Sequence, residues 1–172
     1  IVYNEPDKLV VITGIGKKKI DDIKLTAEET RDSRNTMLYL QSLNISYNLA
    51  MKIYKFYGED AIEIIKTNPY KLVDDISGIG FAMADNMARN MQIVSNSAFR
   101  ISAGIIHTLN YESEFNGHTS LKMDYVVKKV SKLLMIDEEY VVEQIKNDSL
   151  AGKLYIVLIN NEEFVYKNTL YK

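Results

Sequence analysis

Apolar residues recur along this chain mostly at the three- and four-residue spacing of a helix, and near the carboxy terminus the spacing shortens to that of strands. Residues 5–24 read as a turn, a short apolar segment (Leu9, Val10, Val11, Ile12) and a tight connection at Gly14-Ile15-Gly16. Thr26-Ala27-Glu28-Glu29 has the form of a capping box, and Met37, Leu38, Leu40 and Leu43 carry the helix behind it to Asn44. Leu49, Ala50, Ile53, Tyr54 and Tyr57 mark the next helix, with Gly58 as its C-cap. The aromatics at that spacing read as core rather than as a base-stacking platform. A short helix over 60–66 follows, with Ala61, Ile62, Ile64 and Ile65 turned inward. Asn68-Pro69 stops it, because the residue before proline avoids helical geometry.

Small residues gather and polarity changes at 94–98, which predicts a boundary between a region over 1–96 and one over 97–172. Beyond it, 99–109 reads as an apolar helix and 117–121 as a turn with a short strand. Val126, Val127, Val130, Leu133 and Leu134 predict one helix; Tyr140, Val141, Ile145 and Leu150 predict another, closed by Gly152. Strands over 154–159 and 164–166 flank Asn160-Asn161, a hairpin signal. Helix, strand, two helices and a hairpin is the order of a winged-helix-like unit. The fold class expected is therefore mainly α, with tandem hairpin units first and this unit second.

The hairpins emerge from a repeat. Counted from a first glycine, Gly78, Ile79, Gly80, Ala84 and Met87 give Gly, apolar, Gly, a small or apolar residue six positions after the first and an apolar one nine positions after it. Gly14, Ile15, Gly16, Ile20 and Ile23 fit the same frame, and so do Asn44, Ile45, Ser46, Ala50 and Ile53. Asn44 is a sound replacement for glycine, since asparagine tolerates left-handed φ better than other side chains. A Gly-apolar-Gly turn between two helices resembles the helix-hairpin-helix motif of DNA-handling proteins. Its free amides at a helix N-terminus suit a phosphate oxygen. The candidate phosphate-binding residues are Gly14, Ile15, Gly16, Lys17, Lys18, Lys19, Gly78, Ile79 and Gly80. Three lysines at the positive end of a helix are unfavourable by themselves, and a phosphate there would neutralise them.

Charge complicates that reading. The net charge is −2, and acidic side chains outnumber basic ones by one in each of the two regions. A dedicated non-specific DNA binder shows a basic excess, so contact with DNA must be local and weak. The chain has no cysteine, which excludes disulfides and thiol chemistry. No apolar run is long enough for a membrane span. No GxxxxGK[ST] phosphate loop is present, His107 and His118 lack metal-ligand spacing, and the neighbouring pairs Asp21-Asp22 and Asp74-Asp75 do not converge on one site. The chain is expected not to be an enzyme and to need no cofactor or metal. Beginning at Ile1, with no helix leading into the first hairpin, it is expected to be a fragment of a longer protein.

An ordered set of landmarks resembles one family. Leu40-Gln41-Ser42-Leu43-Asn44-Ile45-Ser46 followed by Ala50-Met51-Lys52-Ile53-Tyr54-Lys55-Phe56-Tyr57-Gly58 is similar to the second hairpin unit of RecD-like superfamily 1 DNA helicases, relatives of the exodeoxyribonuclease V alpha chain. Asn68-Pro69-Tyr70-Lys71-Leu72, the stretch 76–85 and Gly117-His118-Thr119 resemble further landmarks of the same region. The resemblance implies a cytoplasmic, amino-terminal accessory region that binds or positions DNA, single-stranded or at a junction, for ATP-driven motor domains of the same chain in repair or recombination. One departure stands out: Ala82 and Met83 occupy positions where the family usually carries a basic or polar pair. They favour the alternative, a structural or protein-interaction scaffold whose hairpins no longer touch DNA.

Overall fold

The computed structural model describes residues 31, 33–117 and 119–168, so the first hairpin, Lys17 to Lys19, the capping box at 26–29 and His118 lie outside the described residues. These residues fall into two compact units divided between Thr67 and Asn68.

In the first unit, helix α1 (33–42) is followed by α2 (Tyr47–Tyr57), a 3₁₀ turn at Gly58–Asp60 and α3 (Ala61–Thr67), which packs on α2. Met37, Leu40 and Leu43 of the first helical pattern are buried, while Leu38 is exposed. The end of α1 is closed by Asn44 at φ 63°, with Asn44 N–H donating to Gln41 O (3.0 Å) and Ile45 N–H reaching back to Leu40 O (3.2 Å). This is a Schellman ending, in which a left-handed residue lets its own amide and the next one satisfy the last carbonyls. Gly58 ends α2 at φ 60°, as expected of a C-cap. In α3 only Ala61 and Ile65 are fully buried; Ile62 and Ile64 lie at its edge.

The second unit begins with α4 (Lys71–Asp75), α5 (Phe81–Asn90) and α6 (Ala98–Asn116). Its start at Asn68 differs from the boundary expected at 96/97. Asp85 of α5 and Arg100 of α6 form a buried ion pair across that point, so the polarity change there marks a turn inside one unit. Helix α6 also runs well past Leu109. Its buried stripe of Ile101, Ile105 and Leu109 is continued by a glutamate, Glu112, which the apolar pattern alone does not register.

Strand β1 (Leu121–Lys122), α7 (Met123–Leu134), α8 (Glu138–Leu150), β2 (Leu154–Ile159) and β3 (Glu162–Lys167) complete the unit in the expected order. The antiparallel sheet runs β1-β3-β2, with Leu121 opposite Val165 and Ile156 on its other side. Asn160 (φ 51°) and Asn161 (φ 64°) supply the two successive left-handed residues that a tight hairpin needs. Val126, Val127, Val130 and Leu134 of α7, Val141 and Ile145 of α8, and Leu154 and Val165 of the sheet are all buried. At Gly104 an added Cβ would lie 3.0 Å from Leu134 Cδ1, so the missing side chain is what lets α7 close on α6. The chain is mainly helical, with one small antiparallel sheet at its carboxy-terminal end.

Candidate nucleic-acid interface

The repeat read from the sequence has a common geometry in its two described copies. The first position is left-handed in both, Asn44 at φ 63° and Gly78 at φ 102°. The second is a buried isoleucine, Ile45 or Ile79. The third is the extended N-cap of the next helix, Ser46 (φ −64°, ψ 152°) or Gly80 (φ −97°, ψ 172°). The residues six and nine positions after the first are buried as well, Ala50 and Ile53 in one copy and Ala84 and Met87 in the other. The alternation has a simple cause. The turn inserts one apolar anchor and exposes the backbone on either side of it.

In the 76–80 turn, Ile79 N–H donates to Ile76 O (3.1 Å), and α5 starts with Ala84 N–H on Gly80 O (3.2 Å). Gly80 has no side chain with which to cap α5. The amides of Phe81 and Ala82 belong to the first turn of that helix and have no intrahelical acceptor. Ser77, Gly78, Gly80 and Ala82 are exposed around them. The turn thus offers an oxygen ligand backbone donors and the positive end of a helix, but no cationic side chain of its own. The middle copy is similar: Ser46 makes no capping bond at the start of α2. Among the predicted site residues, Gly78, Ile79 and Gly80 come together in one turn. Gly14 to Lys19 lie outside the described residues.

A polar cluster holds the third hairpin in place. Tyr70, just before α4, donates its hydroxyl to Asp85 Oδ1 of α5 at 2.7 Å. Arg100 of α6 grips the same carboxylate through Nε (2.7 Å to Oδ1) and Nη2 (3.1 Å to Oδ2), and Arg89 adds Nη2 at 2.9 Å to Oδ2. The remaining Arg100 nitrogen, Nη1, donates to the carbonyls of Ser95 (2.8 Å) and Leu134 (2.9 Å). Burial alone would raise the Asp85 pKa, but the Arg100 and then the Tyr70 hydrogen bonds outweigh it and hold the carboxyl below its usual value. Burial first, and the bond to Asp85 second, push the Tyr70 phenol far above its usual value. The sequence pattern missed this cluster, although one signal for it exists. Asp85 and Arg100 are charged residues at positions that the helical spacing of α5 and α6 turns toward the core.

His107 is half-buried with its ring stacked on Phe81 (5.0 Å between centroids), and burial lowers its pKa. This is a packing role, as expected of a lone helical histidine. The aromatics of α2 divide: Tyr54 and Tyr57 are half-buried, while Tyr47 and Phe56 are exposed. Among the described residues no group of histidines and carboxylates could hold a metal, and no helix is long and apolar enough to cross a membrane.

Two turns with a left-handed first residue, a buried apolar second and an uncapped helix start define a tandem helix-hairpin-helix protein. The chain belongs to the helix-hairpin-helix domain family of the ATP-dependent RecD2 DNA helicase, whose family model matches residues 29–120. It is 22% identical over 130 residues to the ATP-dependent RecD2 DNA helicase of Deinococcus radiodurans, an alignment covering 76% of this chain and 18% of that protein. The chain therefore spans less than a fifth of the length of this relative. The matched residues take in α1 to α6.

Proposed function

We propose that this chain is an accessory DNA-positioning region of a RecD-like helicase acting in repair or recombination in the cytoplasm. It grips backbone phosphates through its hairpins, without base preference, and hands single-stranded or junction DNA to motor domains of the same polypeptide. The observation that carries the reading is the shared geometry of the Asn44-Ile45-Ser46 and Gly78-Ile79-Gly80 turns, within a family of helicase accessory domains. The first hairpin is the strongest phosphate ligand of the three, because Lys17, Lys18 and Lys19 follow it directly and the other two turns bring no comparable charge. The region is not itself a catalyst; ATP hydrolysis belongs to the motor.

Fluorescence-anisotropy titration of short single-stranded and duplex DNA, at several salt concentrations, tests this. Affinity should be weak and indifferent to base sequence. Replacing Lys17, Lys18 and Lys19 by Ala should reduce the salt slope by about 0.7 to 0.9 for each phosphate that is no longer neutralised. A slope that the triple variant leaves unaltered would exclude the first hairpin.

A second reading is favoured by the exposed Ala82 at the start of α5 and by the balanced charge of the chain. In it the hairpins are scaffold, and the region carries motor or partner domains without touching DNA.

A further inference from the structure

The winged-helix-like unit has its charge distributed the wrong way round for the usual mode of such folds. In a helix-turn-helix the second helix enters the major groove, and here that helix is α8. Yet α8 exposes Glu138, Glu139 and Glu143 against Lys146. Phosphates on both groove walls would repel it. The preceding helix is basic instead: α7 exposes Lys128, Lys129 and Lys132 against Asp124.

Beside those lysines lies a group of exposed aromatic rings. Tyr111 and Phe115 of α6 lie against each other, tilted 33° with centroids 4.7 Å apart, and Phe115 is 70% exposed. Tyr125 of α7 is also exposed, and its hydroxyl donates to Glu112 Oε1 at 2.7 Å. Glu112 sits between Tyr111 and Phe115 in the sequence, so this bond brings α7 to the same end of α6. Lys129 Nζ is 3.3 Å from the same carboxylate oxygen and 5.3 Å from the centre of the Tyr125 ring. The cluster is therefore held in place by a buried carboxylate, with rings outward and two further lysines, Lys128 and Lys132, along the same helix.

We propose that the α6–α7 face, built from Tyr111, Phe115, Tyr125, Lys128, Lys129 and Lys132, binds single-stranded DNA, and that α8 does not enter a DNA groove. Exposed rings take unpaired bases of any identity, and lysines alongside take the backbone between them. A duplex buries its base faces and gains only the lysine contacts. Helix α7 lies beyond the residues matched by the helicase family, and the surface stands apart from the hairpins. It requires no phosphate contact at the Gly78 turn.

The test uses the whole chain and a fluorescein-labelled oligothymidine of roughly 20 nucleotides, long enough to cover the face. Three variants are compared with the parent, each checked by circular dichroism: Lys128→Glu with Lys132→Glu, Phe115→Ala, and Lys146→Glu on α8. The double lysine variant should lose about tenfold or more in affinity and about 1.4 in salt slope, the share of two single-strand phosphates. Phe115→Ala should lose about fivefold or more with its slope unchanged, as expected for one stacked base. Lys146→Glu should bind oligothymidine as the parent does, which separates this face from α8. The proposal is overturned if the parent does not bind oligothymidine, or if the lysine variant binds as well as the parent. It is equally overturned if Phe115→Ala has no effect while the lysine variant loses binding to phosphatidylserine vesicles, since the face would then be a lipid-contacting one.

Discussion

Arg100 meets Asp85 as a two-pronged pair, Nε to Oδ1 at 2.7 Å and Nη2 to Oδ2 at 3.1 Å, with both side chains almost wholly buried. The pair joins α5, which starts at the third hairpin, to α6, the long helix on which α7 packs. Because Arg100 also bonds the Leu134 carbonyl, one guanidinium ties α5 and α6 to the end of α7. Removing the acid would leave a buried cation without a counter-charge. Asp85→Ala should therefore cost about 3–5 kcal/mol, read as a lower urea midpoint. A midpoint equal to that of the parent would show that Arg100 finds solvent in the variant.

Stability should fall at both ends of the pH range, with different residues responsible. The Asp85 carboxyl is held below its ordinary value of 3.8, so its contribution is present above that pH and is lost as the pH falls through the lower folded value. Glu112 behaves in the same sense from its ordinary 4.5, held down first by the Tyr125 hydroxyl and then by Asn116. Tyr70 has the opposite sign. Its phenol is raised above the ordinary 10.0, so its contribution is complete below that pH and disappears as the pH rises. Thermal midpoints measured against pH should show both limbs, and Tyr70→Phe should flatten the alkaline one.

Gly78 and Gly80 sit two residues apart and should respond differently to substitution. Gly78 has φ 102°, where a β-branched side chain is strained, so Gly78→Val should destabilise by about 1–3 kcal/mol. Gly80 has φ −97° and open space where a Cβ would stand. Gly80→Ala should change the unfolding midpoint little. Equal effects of the two would remove the hairpin geometry as the cause.

Gly104 is needed for a different reason. Its φ is ordinary, but an added Cβ meets Leu134 Cδ1 at 3.0 Å and Cδ2 at 3.2 Å. Gly104→Leu should overpack the α6–α7 interface and cost about 1–3 kcal/mol, despite the better helix propensity of leucine. Trimming the opposing residue in Gly104→Leu/Leu134→Ala should recover part of that stability in a double-mutant cycle.

Met135 ends α7 at φ 54° and is almost fully exposed, while Ile136 N–H donates to Ser131 O at 3.2 Å to close a Schellman ending. A side chain in left-handed geometry costs roughly 1–2 kcal/mol, and glycine escapes that cost at the expense of a freer unfolded chain. Met135→Gly should raise the urea midpoint by the equivalent of about 0.5–1 kcal/mol.

The local sequence determined the elements whose causes lie within a few residues. Asn44, Gly58, Gly78 and Gly152 are left-handed where the pattern predicts a turn or helix end, and Asn160-Asn161 turns the hairpin. The motif spacing fixed which residues are anchors, because a buried apolar residue between two exposed backbone positions is itself a local pattern. The left-handed Gln92 and Met135 are not legible in the same way, since neither side chain favours that geometry and the helix ends around them impose it. The tertiary structure alone decided the extent of α6, the single unit running through residue 97, and the buried grip of Arg100 on Asp85. Each depends on partners 13 or more residues away, as in Tyr125 with Glu112, and no periodicity within one helix encodes which distant charge will satisfy it. The same holds for the α6–α7 face. Each helix lines up its own set, Tyr111 with Phe115 on α6 and Tyr125 with the lysines on α7, but only the packing of the two helices through Glu112 brings the sets together.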